Sequence, residues 1–162
     1  MRHATTGFTL VEMMVAISVM AILTTIAIPS YQSTITSTRM RSEIGALLAD
    51  LNFARSEAVK RGLPINICPP TSAGTACNPG ITDWSSGWVV LNTSQPLRIS
   101  AGVTHGDKLI ATTGTAPTFT PAGYSFFSGT FTLHDSNDDI TQRRCINFSV
   151  GFLVTQAGAL CP

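Results

Sequence analysis

Charge is scarce in this sequence. Asp, Glu, Lys and Arg make up 12% of its 162 residues, and the formal net charge is +1. A balance so close to neutral argues against a protein that coats nucleic acid through its overall field. The histidines His3, His105 and His134 stand apart and make no metal-ligand spacing. No Cys-x-x-Cys pair occurs, which sets aside zinc ribbons and thioredoxin-like redox chemistry. Gly-x-Ser-x-Gly, the phosphate-binding P-loop and the dinucleotide fingerprint are all missing as well. Asp135, Asn137 and Asp139 open like a calcium loop, but Ile140 replaces the required glycine and Ile146 the bidentate glutamate, so a polar turn is expected. The expectation is no enzyme, no metal and no cofactor. Internal repeats and low-complexity linkers are absent too, which leaves one domain and a tail.

What the sequence does have is an apolar opening, GFTLVEMMVAISVMAILTTIAIPSYQ, from Gly7 to Gln32. Between Phe8 and Ile28 there is one charge and neither proline nor glycine, close to the ~20 residues that span a hydrocarbon core. A secretory signal peptide usually has a shorter apolar run and a small-x-small cleavage site, which is not evident before Pro29. A plain signal anchor leaves Glu12 unexplained, since an ionisable group in a membrane helix is costly and implies a partner.

The run Gly7-Phe8-Thr9-Leu10-Val11-Glu12, followed by an apolar helix with Pro29, resembles the type IV pilin superfamily, including the pseudopilins of type II secretion. The resemblance implies that residues 1–7 are a leader cut off after Gly7 by a membrane prepilin peptidase, which then methylates the new N-terminus, Phe8. It implies that residues 8–28 form a transmembrane helix that becomes the filament core. Glu12 then pairs with the N-terminal ammonium of a neighbouring subunit; such a pair sets register more than it stabilises. Removing the leader takes Arg2 with it and leaves the formal charge neutral. Pro29, which lacks an amide hydrogen, is expected to kink the helix as it leaves the membrane.

Helical patterning resumes downstream, so residues 29–62 read as the amphipathic half of one helix of about 50 residues. Ile44, Leu47, Leu48, Leu51, Ala54 and Ala58 recur at three- and four-residue spacing. Arg39, Arg41, Glu43, Asp50, Arg55 and Lys60 fall mostly off that stripe; a solvated face is expected for Arg39, Arg41 and Arg55, with a basic helical face as the alternative, and Glu57 and Arg61 can pair at i,i+4. Gly62 and Pro64 stop the helix. Residues 63–162 then read as a β-rich globular domain, with short strands near 65–67, 87–91, 97–99, 108–111, 118–119, 129–133, 145–150 and 151–155. Phe131 and Leu133 alternate with threonine, His134 to Asp139 turn the chain, and Ile146 and Phe148 return it as a hairpin.

A helix ending in ARSEAVKRG, a strand leading into Cys68, and then DWSSGW resemble the GspH/FimT branch of minor pilins and pseudopilins. The implied fold is α+β: the pilin fold, a long N-terminal helix packed against antiparallel β-sheet. Trp84 and Trp88 are expected to pack around a turn at Gly87 rather than stack on a ligand. Four cysteines beyond the apolar segment suggest disulfides in an oxidising compartment and allow three pairings. The pairing expected is Cys68–Cys77 and Cys145–Cys161, each contributing about 2–3 kcal/mol. The implied role is that of a structural minor pilin held in the bacterial inner membrane, its globular domain periplasmic, before assembly onto the cell surface. Its partners would be other pilins and minor pilins, the prepilin peptidase and the inner-membrane assembly platform. Two alternatives share this fold: a minor pseudopilin of type II secretion, and a DNA receptor for natural transformation. DNA-binding relatives carry Gly-Arg-x-Arg before the last cysteine, where this chain reads Gly151-Phe152-Leu153-Val154. Arg143 and Arg144 are the nearest candidates to replace those arginines, but as neighbours on a strand they would point to opposite faces.

Overall fold

From Leu10 onward the chain has no glycine before Gly45 and a single proline, and it coils without a break into α1 (Leu10–Arg61). A computed structural model describes residues 7–71, 76–78, 80–93, 95–112 and 116–162, with side chains described at all of these but Pro29 and Ser30. Residues 1–6 of the leader and the side chain of Pro29, where a kink was expected, lie outside this description. The helix stops at Gly62, whose φ of 66° is open to a residue without a Cβ and whose amide donates to the Ala58 carbonyl. Two compact units share α1, one ending at Ser37 and the other running Thr38–Pro162.

In the first unit the described side chains from Phe8 to Ile28 are all exposed. The segment is long and apolar enough to cross a membrane, with a mean hydropathy of 2.2 over its best 18-residue window. Its hydroxyls are satisfied within the helix. Ser18 donates to the Met14 carbonyl, Thr24 to Ala21 and Thr25 to Ile22, so these polar groups need no water.

In the second unit, eight strands follow the helix: β1 (Ile65–Cys68), β2 (Gly87–Asn92), β3 (Gln95–Ala101), β4 (Lys108–Ala111), β5 (Thr118–Phe119), β6 (Gly129–His134), β7 (Arg144–Ser149) and β8 (Phe152–Ala157). Each lies within a residue or two of a strand expected from the sequence. They form two four-stranded antiparallel sheets among the described residues, ordered β3-β2-β1-β5 and β4-β6-β7-β8. Ile44, Leu47, Leu51, Ala54 and Ala58 of the helix are buried, joined by Met40 one turn earlier. They pack into one core with Ile65, Ile67 and Val90 of the first sheet and Leu109, Phe131, Leu133 and Ile146 of the second. Both sheets therefore depend on the same helical stripe for their apolar cover.

The segment around Trp84 ties the sheets together. The Trp84 amide donates to the Leu109 carbonyl, the Ala111 amide to Thr82 and the Val103 amide to Ser85. Trp84 and Trp88 are both buried, and the Trp84 ring meets Phe131 edge-on with centroids 4.6 Å apart. At Gly87 φ is 121°, and a Cβ there would sit 2.6 Å from the Ser100 carbonyl oxygen. Glycine is required at that approach. Disulfides link Cys68 to Cys77, at the end of β1, and Cys145 of β7 to Cys161, after a short 3-10 turn (Gly158–Leu160).

Candidate assembly interface

At its first turn, α1 carries a reciprocal cap. Thr9 precedes the first helical residue, and its hydroxyl oxygen accepts the Glu12 amide at 3.2 Å. The Glu12 carboxylate reaches back to the Thr9 amide at 3.5 Å, the long limit of a hydrogen bond. Thr-x-x-Glu just before an apolar run is the sequence signature of this motif, and it was readable at residues 9–12. Glu12 is exposed along with its apolar neighbours. Its position in the first turn also suits a negative charge against the positive end of the helix dipole.

The amphipathic half of the helix is held to its domain by charge as well as by apolar contact. Asp50 is buried and accepts from Trp88 Nε1 at 2.8 Å, from Arg98 Nη1 at 2.7 Å and from the Ser100 hydroxyl. Burial alone would raise this carboxyl. The hydrogen bonds from Ser100, Arg98 and Trp88, with the charge of Arg98, outweigh it and hold the group below the usual aspartate range. Arg98 also lies over the Phe53 ring, 4.0 Å from its centroid. Glu43 accepts from the amide and hydroxyl of Thr104. Arg39 forms two hydrogen bonds with Asp107, which in turn accepts the Ser136 amide. The solvated face expected for Arg39 is thus corrected: it is covered, with Glu43 and Asp50, by the β2–β3 hairpin and the β3–β4 loop. Glu57 is likewise buried and pairs with Arg61 at i,i+4, with Lys60 nearby.

Arg143 and Arg144 are not presented as a strand pair on opposite exposed faces. Arg143 precedes β7 and donates to Asp138 at 3.1 Å, and Asp138 also meets His134 Nδ1 at 2.7 Å. Those two hydrogen bonds, His134 first, hold the Asp138 carboxyl below its ordinary value. Arg144 opens β7 and is 9% exposed, with Nη1 donating to the Arg143 carbonyl. The turn before them uses its carboxylates locally: Asp135 accepts the amides of Asn137 and Asp139, and Asp139 caps Thr141. No cluster of three or more His, Cys, Asp or Glu suited to a metal occurs among the described residues.

Residues 43–151, from the helix through both sheets, match the family model described as type II transport protein GspH. The chain belongs to the GspH family. Residues 2–28 of this GspH-family chain match a second model, the prokaryotic N-terminal methylation motif, which covers Gly7, Phe8 and Glu12. No curated protein sequence matches it. Two crystal structures of the type IV minor pilin FimU from Pseudomonas aeruginosa strain PAO1 share its fold. One, in space group P21, aligns with a TM-score of 0.62 at 22% identity, over 77% of this chain and 93% of that one. The other, in P65, gives 0.59 at 23% identity, over 75% and 96%. Within the GspH family, then, this chain pairs a bare apolar helix bearing a methylation motif with an α+β domain that buries the rest of that helix.

Proposed function

We propose that this protein is a structural minor type IV pilin: it is cut after Gly7, methylated at Phe8, and built into a pilus, where it primes assembly or lies in the tip complex. The observation that carries this reading is a capped apolar helix, exposed throughout, whose one carboxylate falls five residues after the cut. Such a surface needs lipid or other helices around it, and a filament of packed N-terminal helices supplies the second. A Glu12 carboxylate placed there can pair with the ammonium of a neighbour's Phe8, which sets register. Two disulfides suit an exported domain, so the protein would wait in the inner membrane with residues 38–162 in the periplasm. Its partners would be other pilins, the prepilin peptidase and the inner-membrane assembly platform.

A second reading, a minor pseudopilin of type II secretion, is supported by the match of residues 43–151 to the type II transport protein GspH family and shares every physical step. The DNA-receptor reading loses ground, because the Arg143 guanidinium is engaged by Asp138 and Arg144 is buried. Mass spectrometry of the mature chain tests the proposal first. Methylated Phe8 at the N-terminus is the expected result, and an intact Met1 would refute processing. Co-purification with sheared pili, rather than with secretion components, separates the two filament readings.

A further inference from the structure

The edge of a β-sheet is a row of backbone N–H and C=O groups without partners, and folds usually blunt it. Of the outer strands here, all but one are blunted. β3 carries Arg98 and also Pro96, which has no amide hydrogen, and its pairing with β2 shifts register between Val90 and Leu91. β4 is covered by residues 82–84: Asp83 bridges to Ile110, the Trp84 amide donates to the Leu109 carbonyl, and the Ala111 amide donates to that of Thr82. β5 is two residues long and closes on its own turn, with Phe119 bridged to Ser125. β8 has none of these features. It contains no proline, and residues 145–162 include no Asp, Glu, Lys or Arg. Among the described residues its backbone bonds only to β7. Beside Thr155, Gln156 and Ala157 an open cleft of about 340 Å³ separates the strand from Arg41, Ile44 and Gly45, so the helix does not cover the edge there.

The register decides which groups are free. Val150 and Gly151 turn the β7–β8 hairpin, Ser149 faces Phe152, and the Gly158 amide donates to the Arg143 carbonyl. Hydrogen-bonded pairs alternate with non-bonded ones along an antiparallel ladder, so Phe152, Val154 and Gln156 bond to β7. Leu153, Thr155 and Ala157 then direct their N–H and C=O groups outward. We propose that this edge pairs with the β8 edge of a second copy of the chain. A row of alternating donors and acceptors is satisfied by an extended strand, and residues 145–162 offer a charged one no countercharge. In a second copy β8 is the outer strand that meets both demands, being uncharged and having a free edge of its own. Antiparallel pairing centred on Thr155 sets it against its own counterpart and Leu153 against Ala157, each pair exchanging both hydrogen bonds. The arrangement is two-fold, closes on itself and joins the second sheets of two copies into one. Val154, exposed in the single chain, then lies beside Gln156 of the other copy. The pairing is independent of the filament reading.

The test follows amide hydrogen exchange in the full-length chain in detergent, at high and at low protein concentration. The amides of Leu153, Thr155 and Ala157 should exchange about tenfold or more slowly at the high concentration, while those of Phe152, Val154 and Gln156 stay protected at both. Exchange of the outward amides that does not depend on concentration would overturn the proposal. Protection that appears only when a different pilin is added would overturn it as well, in favour of a strand from that subunit. Variants then separate edge pairing from association through the apolar helix. Thr155→Pro removes an outward amide hydrogen and leaves the bonds to β7 in place. It should melt close to the wild type and raise the dimer dissociation constant, measured by sedimentation, about tenfold or more. Thr155→Val keeps the amide and should pair as the wild type does. Val154→Lys sets a charge on the exposed face of the edge and should also weaken pairing, which keeps the test decisive if Thr155→Pro fails to fold. Dimers as tight in Val154→Lys and in folded Thr155→Pro as in the wild type would overturn the proposal and place the contact elsewhere.

Discussion

One helix runs through two regions that treat apolar side chains in opposite ways. Before Ser37, Ile17, Leu23 and Ile26 are each more than 60% exposed. After Thr38, Met40, Leu47, Leu51 and Ala54 are fully covered. The residue types hardly differ, so the difference lies in the polar residues between them. In the second region Arg41, Ser42, Asn52, Ser56 and Lys60 lie exposed between the apolar residues and leave the stripe one inward face. In the first, apolar residues occur all round, and such a helix is stable only inside something else. The covered half has its partner in the same chain; the bare half must find one in lipid or in other subunits.

The sharpest way to break this comparison is to make the same substitution on each side. Leu47→Ala removes a fully buried side chain facing both sheets and should cost about 2–5 kcal/mol of unfolding free energy. Leu23→Ala removes a side chain that is 61% exposed and should leave the melting of the globular domain unchanged. Its effect should appear in filament incorporation alone. Denaturant unfolding of the full-length chain in detergent checks the first, and sheared-filament yield checks the second. Equal losses of domain stability would mean that the two halves are not distinct in the way described.

A next test concerns Asp50, which shows where sequence reading stopped. Strands were legible because each is a short β-like run set between turn residues such as Gly, Pro, Ser or Asn. Leu47 and Leu51 were legible because helical spacing is a local signal. The division into two sheets was not, since it depends on which strands meet over long separations. The partners of Asp50 were not legible for the same reason: Trp88, Arg98 and Ser100 lie 38, 48 and 50 residues away. At that range helical spacing says only that Asp50 lies off the apolar stripe. The salt bridge of Arg143 with Asp138, five residues apart, was within local reach. Asp50→Asn should cost about 2–4 kcal/mol near neutral pH, because Arg98 loses its countercharge beneath the hairpin. The folded Asp50 has a lowered pKa, so its contribution is complete above the ordinary aspartate value and fades as pH falls through the folded one. The gap between wild type and Asp50→Asn should therefore narrow in acid. A gap that is constant from neutral pH into strong acid would mean the carboxylate charge is not what holds the helix to β2 and β3.

The smallest expected effect separates two roles of one side chain. Glu12 caps its own helix through Thr9, and in the filament reading it also supplies a charge to a neighbour. Glu12→Ala removes both, so loss of incorporation in that variant would not say which role matters. Glu12→Gln keeps an oxygen that can accept the Thr9 amide, as glutamine does in capping boxes, and discards only the charge. Thr9→Ala does the reverse, costing the helix start about 1 kcal/mol while leaving the carboxylate in place. If pairing with an ammonium sets register, Glu12→Gln should be incorporated as poorly as Glu12→Ala, and Thr9→Ala almost normally. If capping is the role, the order is the opposite, and the exposed half of the helix would owe its one acidic residue to its own first turn rather than to a neighbouring subunit.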